Sequence, residues 1–208
     1  MGGIDLFYFL DTRPTHLMQA DDLPMPDQPA DVIVADPPWA YHQKHKRGLP
    51  YPTMSPEELR AMRVPVADNA LCFMWTTGPH FPQAVELLKA WGFDYVTVAF
   101  VWQKTFKNGA PVCGMGFYTR SCCEFVLLGR RGAGVSKWIE DHGVNQLIVA
   151  PKREHSRKPD EFWVLLERLL GPSPHLKKLE LFARERRPGW EAWGNDVDHF
   201  SSTADPCS

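Results

Sequence analysis

The residues best placed to do chemistry lie in Asp31-Val32-Ile33-Val34-Ala35-Asp36-Pro37-Pro38-Trp39. A run rich in β-branched residues ends abruptly in a carboxylate, two prolines and an indole. The apolar run reads as a buried strand. Neither proline has a backbone N–H, so the chain must leave the sheet at Asp36. That puts a carboxylate at the carboxyl end of a strand, where open α/β sheets bind ligands. The prolines also hold the Asp36 carboxylate, the adjacent carbonyls and the Trp39 ring in a fixed relation. A planar exocyclic amine suits this set. Its ring stacks on an aromatic side chain while the NH2 donates to a carboxylate and a proline carbonyl.

Lys158 is the second charged group with a defined setting. It directly precedes Pro159, which begins the best helix pattern in the chain. Free N–H groups of a helix start, beside a lysine, make an anion site suited to a carboxylate, although Asp160 and Glu161 compete for the same N–H groups. His42, His45 and His155 have no regular spacing and read as loop residues rather than a metal or acid–base set. There is no C-x-x-C pair, and no metal site is expected. Positive charge gathers at Lys44, Lys46 and Arg47, at Arg130 and Arg131, and at Lys152, Arg153, Arg157 and Lys158.

The elements that must position these groups alternate. Strands are expected at 31–36, 70–76, 95–103, 124–128, 146–150 and 179–183. Ser55-Pro56-Glu57-Glu58 starts a helix, with serine as cap, proline at the first position and acids in the first turn, ending near Arg63. Further helices are expected over 81–90, stopped by Gly92, and over 159–170, stopped by Gly171. Residues 40–54 form a long polar, basic and aromatic loop of the kind that carries function. Strands alternating with helices predict an α/β fold with a mainly parallel sheet. We expect one domain over residues 1–200 and a disordered tail over 201–208.

The 208 residues are enough for one domain with a sizeable core. No apolar run approaches the ~18 residues of a membrane span, and no signal peptide is read at the start of the chain. Five cysteines without regular spacing fit a reducing cytoplasm better than a disulfide framework. A net charge of −2 lacks the broad basic face of a dedicated duplex binder, so contact with nucleic acid would fall to the local clusters.

Asp36-Pro37-Pro38-Trp39 resembles the fourth motif of S-adenosylmethionine-dependent amino-methyltransferases. The likeness continues through Tyr51-Pro52-Thr53-Met54-Ser55, Trp75-Thr76-Thr77-Gly78, Trp91-Gly92-Phe93, 155–161, Glu180-Leu181-Phe182-Ala183-Arg184, and Gly189-Trp190 with Trp193-Gly194-Asn195. Together these segments resemble the adenine-N6 methyltransferase family of the MT-A (seventy-kilodalton subunit) type, with its stand-alone bacterial and phage members. The resemblance covers roughly residues 18–196. It implies a Rossmann-like domain, helices on both faces of the sheet, with the catalytic motif preceding the cofactor motif. S-adenosylmethionine is the implied donor and nucleic acid the implied partner.

The resemblance also implies roles. Asp36 orients the adenine amine, the Pro37 carbonyl takes its second hydrogen, and Pro38 and Trp39 shape and stack the base. A base in a duplex must first be flipped out. Lys158 contacts the methionine end of the cofactor, and Leu181 and Phe182 let the cofactor approach the sheet end. Arg184 and Asn195 hold the ribose. Asp196 stands where some relatives have glutamine. Asp21 or Asp22 is the acid near the cofactor adenine. Tyr51, with Tyr41, lies near the target base, and Glu124 sits at the rim, where the plainer reading is a surface strand charge. From the residues alone, the loop's Lys44, Lys46 and Arg47, with His42 and His45, are expected to touch phosphate.

The sequence therefore predicts an adenine-N6 methyltransferase, with DNA favoured over RNA because no zinc finger or other appended RNA-binding module is seen. The rival readings are a non-catalytic nucleic-acid-binding partner of the same fold, which the retained Asp36 opposes, and a methyltransferase acting on another amine such as cytosine-N4. A homodimer is an expectation from size alone.

Overall fold

A computed structural model of the protein describes residues 24–40, 53–116, 118–154 and 156–200. Asp21, Tyr41, His42, Lys44, His45, Lys46, Arg47, Tyr51, His155 and the tail 201–208 lie outside the described residues. The seven strands are β1 (Ala30–Ala35), β2 (Val66–Thr76), β3 (Asp94–Thr105), β4 (Cys123–Arg131), β5 (Leu147–Pro151), β6 (Lys178–Leu181) and β7 (Glu191–Trp193). They form one sheet in the order β5-β3-β4-β2-β1-β6-β7. β4 runs antiparallel to both neighbours, and every other pairing is parallel.

The period-two alternation of β1 decides the layers. Ile33 and Ala35 pack into one core cluster with Leu59, Leu87 and Leu88 from helices α1 (Pro56–Ala61) and α2 (Phe81–Ala90). Val32 and Val34 pack into the other, with Phe162, Leu166 and Leu170 from α3 (Asp160–Leu170). Helices therefore cover both faces, as a mainly parallel sheet requires.

The helix starts follow their chemistry. Ser55 Oγ accepts from the Glu58 N–H at 3.2 Å, and the Glu58 carboxylate accepts from the Ser55 N–H at 2.6 Å. Such a reciprocal cap contributes about 1 kcal/mol. α2 has the bounds read from sequence, ending where Gly92 takes φ +86°. α3 begins one residue later than expected, with Pro159 as the cap in extended backbone. Several strands run longer than expected, β2 by four residues at its start, since Val66–Asn69 are polar or half-exposed and carry no apolar run. No helix among the described residues is long and apolar enough to cross a membrane.

The sheet order places the site. From β1 the chain goes to β2 on one side, while β6 lies on β1's other side and leads outward to β7. Ala35 and Leu181, the last residues of β1 and β6, are directly paired. The carboxyl ends of these two strands therefore frame a crevice at the reversal point, the place where such sheets bind ligands.

Candidate active site

Asp36 leaves β1 at this point, with its N–H 3.5 Å from the Leu181 carbonyl. The prolines that follow are pinned by the chain around them. The Trp39 N–H donates to the Pro37 carbonyl at 2.8 Å, and the Met54 N–H to the Pro38 carbonyl at 3.0 Å. The Trp39 ring is only 8% exposed. Its indole N–H donates to the Trp75 carbonyl at 3.2 Å, and its face stacks on His80 with ring centres 5.7 Å apart. His80 is in turn held by Thr77 Oγ1 at 3.0 Å and by the Ala40 carbonyl at 3.3 Å. Trp39 thus packs into the core behind the loop and anchors it, and it does not line the crevice.

The crevice is open to solvent on one side. Asp36, Lys158, Glu180, Phe182, Arg184, Arg157 and Arg187 all line it. Three of the expected cofactor residues, Lys158, Phe182 and Arg184, thus meet Asp36 there. Leu181 is fully buried beneath them. Asn195 and Asp196 are exposed on the segment after β7, and Asp196 accepts from or pairs with His199 Nδ1 at 2.5 Å. That segment folds back so that Phe200 reaches the crevice, with the Arg157 and Arg184 guanidiniums 4.9 and 5.0 Å from its ring.

Lys158 is not aimed at the N-terminus of α3. Its Nζ lies 2.9 Å from Asp36 Oδ2 and 3.1 Å from Glu124 Oε2, over the Trp75 ring. Glu124, at the start of β4, is 15% exposed and bridges Lys158 and Lys104. Of the two readings of Glu124, a residue at the active-site rim and a surface strand charge, the burial and the two lysine partners exclude the surface charge. β4 runs antiparallel, so its first residues rather than its last reach the active edge and are drawn between two lysines.

Burial sets these carboxyls apart. Burial pushes the Asp36 carboxyl above the ordinary aspartate range, with Glu124 adding to the push and Lys158 and Lys104 opposing it. Burial acts the same way on Glu124, but Lys158 and Lys104 outweigh it and hold that carboxyl down at about 2. Lys158 is raised: its two acids outweigh the burial that would lower it. Glu180, on β6, is pushed up to about 8 by burial, which Arg187 only partly offsets. Glu180 Oε2 lies 3.8 Å from Arg187 Nε, too far for a hydrogen bond, and both atoms are buried without a partner.

Glu180 yields a test of its own. A carboxyl whose folded pKa lies above its unfolded one destabilises the fold as it ionises, so stability falls as pH rises from about 4.5 toward about 8. Glu180→Gln removes that penalty. With no ligand added, the variant should gain thermal stability over the natural protein at pH 8 and gain little at pH 4. An equal gain at both pH values would contradict the assignment.

Sequence reasoning passed over several crevice residues. Arg157 belongs in sequence to a basic cluster and to the 155–161 segment without a role of its own, and Arg187, Glu185 and Phe200 carry no local signal. Gly194 has a local signal. A Cβ there would lie 2.4 Å from the Ala183 carbonyl oxygen, so only glycine lets β7's exit cross the turn after β6. Phe182 in that turn takes φ +60°, uncommon for a bulky residue. Its ring packs on Trp193.

A parallel sheet with one reversed strand, and an Asp-Pro-Pro-Trp carboxylate beside a ligand crevice, defines a Rossmann-like methyltransferase architecture. Residues 30–196 match the family model described as MT-A70. Over 196 residues the chain is 35% identical to the type II methyltransferase M.MunI of a Mycoplasma species, covering 83% of this chain and 80% of that protein. It is 36% identical over 173 residues to an N(6)-adenosine-methyltransferase MT-A70-like protein of Drosophila melanogaster, covering 80% of this chain and 27% of that one. An Arabidopsis thaliana relative with the corresponding name is also 36% identical, with 24% of its length covered. The chain belongs to the MT-A70 family, and by that membership it is a methyltransferase of the adenine-N6 type.

Proposed function

We propose that the protein transfers a methyl group from S-adenosylmethionine to the N6 amine of adenine in DNA. The observation that carries this is the meeting of Asp36 with an acid and three arginines in one crevice at the paired ends of β1 and β6. The donor's chemistry fits these residues. Its ammonium and ribose hydroxyls suit the unpartnered Glu180 Oε2, and its carboxylate suits the arginines and Lys158. Bound there, the group supplies an electrophilic methyl on a sulfonium.

The residues of the chain do the rest. Asp36 accepts a hydrogen bond from the amine and turns its lone pair toward the methyl group. Because the amine is nearly non-basic, no strong base is needed before attack, and positioning can supply ~7–11 kcal/mol. As the N–C bond forms and the donor's sulfur–methyl bond breaks to leave a neutral thioether, the amine becomes cationic and sheds a proton toward Asp36, whose raised pKa makes it a better acceptor than an ordinary aspartate. The Pro37 carbonyl accepts from Trp39 with one lone pair and has a second for the other amine hydrogen. Trp39 works by holding this loop from behind, with His80.

The target strand would cross the same edge of the sheet. Phe106 follows β3 and is 47% exposed, with Lys152, which follows β5, 5.5 Å from its ring. An aromatic face beside a cation suits unpaired bases and phosphate. The preference for DNA follows the likeness, along 80% of that protein's length, to the type II methyltransferase M.MunI.

The test is transfer of labelled methyl to DNA and RNA oligonucleotides, followed by nucleoside mass spectrometry. We expect N6-methyladenine, with DNA the better acceptor. Methyl on cytosine N4 would overturn the acceptor base, and faster transfer to RNA would overturn the polymer.

A further inference from the structure

Four side chains of alternating sign run in a line away from the crevice. They are Asp36 after β1, Lys158 before α3, Glu124 at the start of β4 and Lys104 near the end of β3. Lys158 Nζ lies between Asp36 Oδ2 at 2.9 Å and Glu124 Oε2 at 3.1 Å. The other oxygen of Glu124 accepts from Lys104 Nζ. Lys104 does not line the crevice. It is nevertheless held firmly. Its N–H donates to the Cys122 carbonyl at 3.0 Å, and its Nζ lies 4.8 Å from the centre of the Trp102 ring. That ring packs edge-on against Trp75, over which Lys158 sits. The base of the β3–β4 hairpin thus fixes Lys104 against Glu124, and the paired tryptophans fix the two lysines.

We propose that Lys104 is a positioning residue for methyl transfer: by neutralising Glu124 it keeps Lys158 shared between the two acids, and so keeps Asp36 ionised and aimed at the amine. The inference rests on the reading of Asp36 given above. Its physical basis is charge balance in a poorly solvated place. Glu124 is 15% exposed and Lys158 16%. With both lysines present, two cations face two carboxylates. Without Lys104, Glu124 is a buried carboxylate whose one remaining cation among the described residues is Lys158, and it draws that ammonium away from Asp36. Its uncompensated charge then also bears on Asp36 directly.

Of the other charged groups that line the crevice with Asp36 (Glu180, Glu185, Arg157, Arg184 and Arg187), Glu180 on β6 interacts with it directly, with Arg187 beside Glu180. Glu180 stays largely protonated at neutral pH in the free enzyme and does not make up the lost cation. Each consequence of removing Lys104 therefore raises the Asp36 carboxyl.

The test uses Lys104→Met, Lys104→Arg and Lys104→Met in a Glu124→Gln background. Lys104→Met should move the acid limb of the kcat–pH profile upward by about one unit, so that kcat on that limb falls roughly tenfold. Affinity for S-adenosylmethionine, measured by calorimetry, should stay within about threefold, since Lys104 is outside the crevice. Lys104→Arg should restore the profile. In the Glu124→Gln background, Lys104→Met should move the limb much less, because only the direct pull of Lys104 on Asp36 is then lost.

A limb that does not move in Lys104→Met, or that moves equally with Glu124 neutral, would overturn the proposal. Should Lys104→Met fail to fold, Glu124→Gln alone decides: it must lower the limb, and an unmoved or raised limb refutes the coupling. Carbon-13 NMR titration of the Asp36 carboxyl in the free enzyme reads the same shift without turnover. A wild-type protein inert on every oligonucleotide would therefore sink the functional reading while leaving this one decidable.

Discussion

Asp36→Ala is expected to lower methyl transfer by about 10³-fold, the range seen when a single preorganised group acting on the reacting atoms is removed. The carboxylate is the only acid that reaches the crevice from the rigid Asp-Pro-Pro-Trp turn. The loop around it is fixed by Trp39, His80 and Met54, none of which touches the Asp36 side chain by hydrogen bond. The substitution should therefore leave the loop in place. Stability should change little, because the charged form of Asp36 is disfavoured by burial and Lys158 keeps Glu124 as a partner. Cofactor affinity, measured by calorimetry, should persist. Transfer within tenfold of the natural enzyme would remove Asp36 from the chemistry.

Lys158→Met should have the largest effect on stability. It leaves Asp36 and Glu124 facing each other with Lys104 as the one cation of the original two. Breaking a buried pair by removing one partner costs about 3 kcal/mol, and here it exposes two acids to each other. The pH dependence follows from the pKa directions. In the natural protein Glu124, held at about 2, contributes stability that is fully present above its ordinary pKa of 4.5 and is lost as pH falls from there through about 2. Without Lys158 both carboxyls rise, and one takes up a proton as pH drops. The deficit should thus be near its full size at pH 8 and clearly smaller at pH 5, read from denaturant unfolding at each pH. Transfer should fall with it, since Lys158 also lines the crevice. A deficit that does not vary with pH would show that Lys158 acts by packing alone.

The outline of this site was legible where chemistry and local backbone coincide. Asp36 could be placed at a strand end because two prolines cannot continue a ladder, and α2 and α3 could be bounded because their stops are glycines at positive φ. Glu124 was harder. A residue at the start of a strand reaches the active edge only if that strand runs backwards, and nothing local in Cys123-Glu124-Phe125 states direction. Lys104 was hidden for the same reason, since its partner is set by the register of the hairpin. Strand β7, only Glu191–Trp193, is too short to show an alternation. Trp39 shows the opposite case. Its type and place suggested a stacking platform, whereas its indole N–H finds the Trp75 carbonyl and its ring finds His80, contacts made between distant parts of the chain.

The reversed strand has a consequence for how such an enzyme can diversify. Because β3 arrives at the active edge and β4 departs from it, Lys104 and Glu124 stand on the two posts of a hairpin whose whole connection, 106–122, projects beyond them. Lengthening a surface loop is inexpensive, with each doubling adding only about 0.6 kcal/mol of closure entropy. That connection can be exchanged like a tool head on a fixed handle: its Met115 and Tyr118 side chains stand almost wholly in solvent, while the clamp at its base stays closed. The segment beyond the clamp can thus be rewritten without disturbing the charges around Asp36.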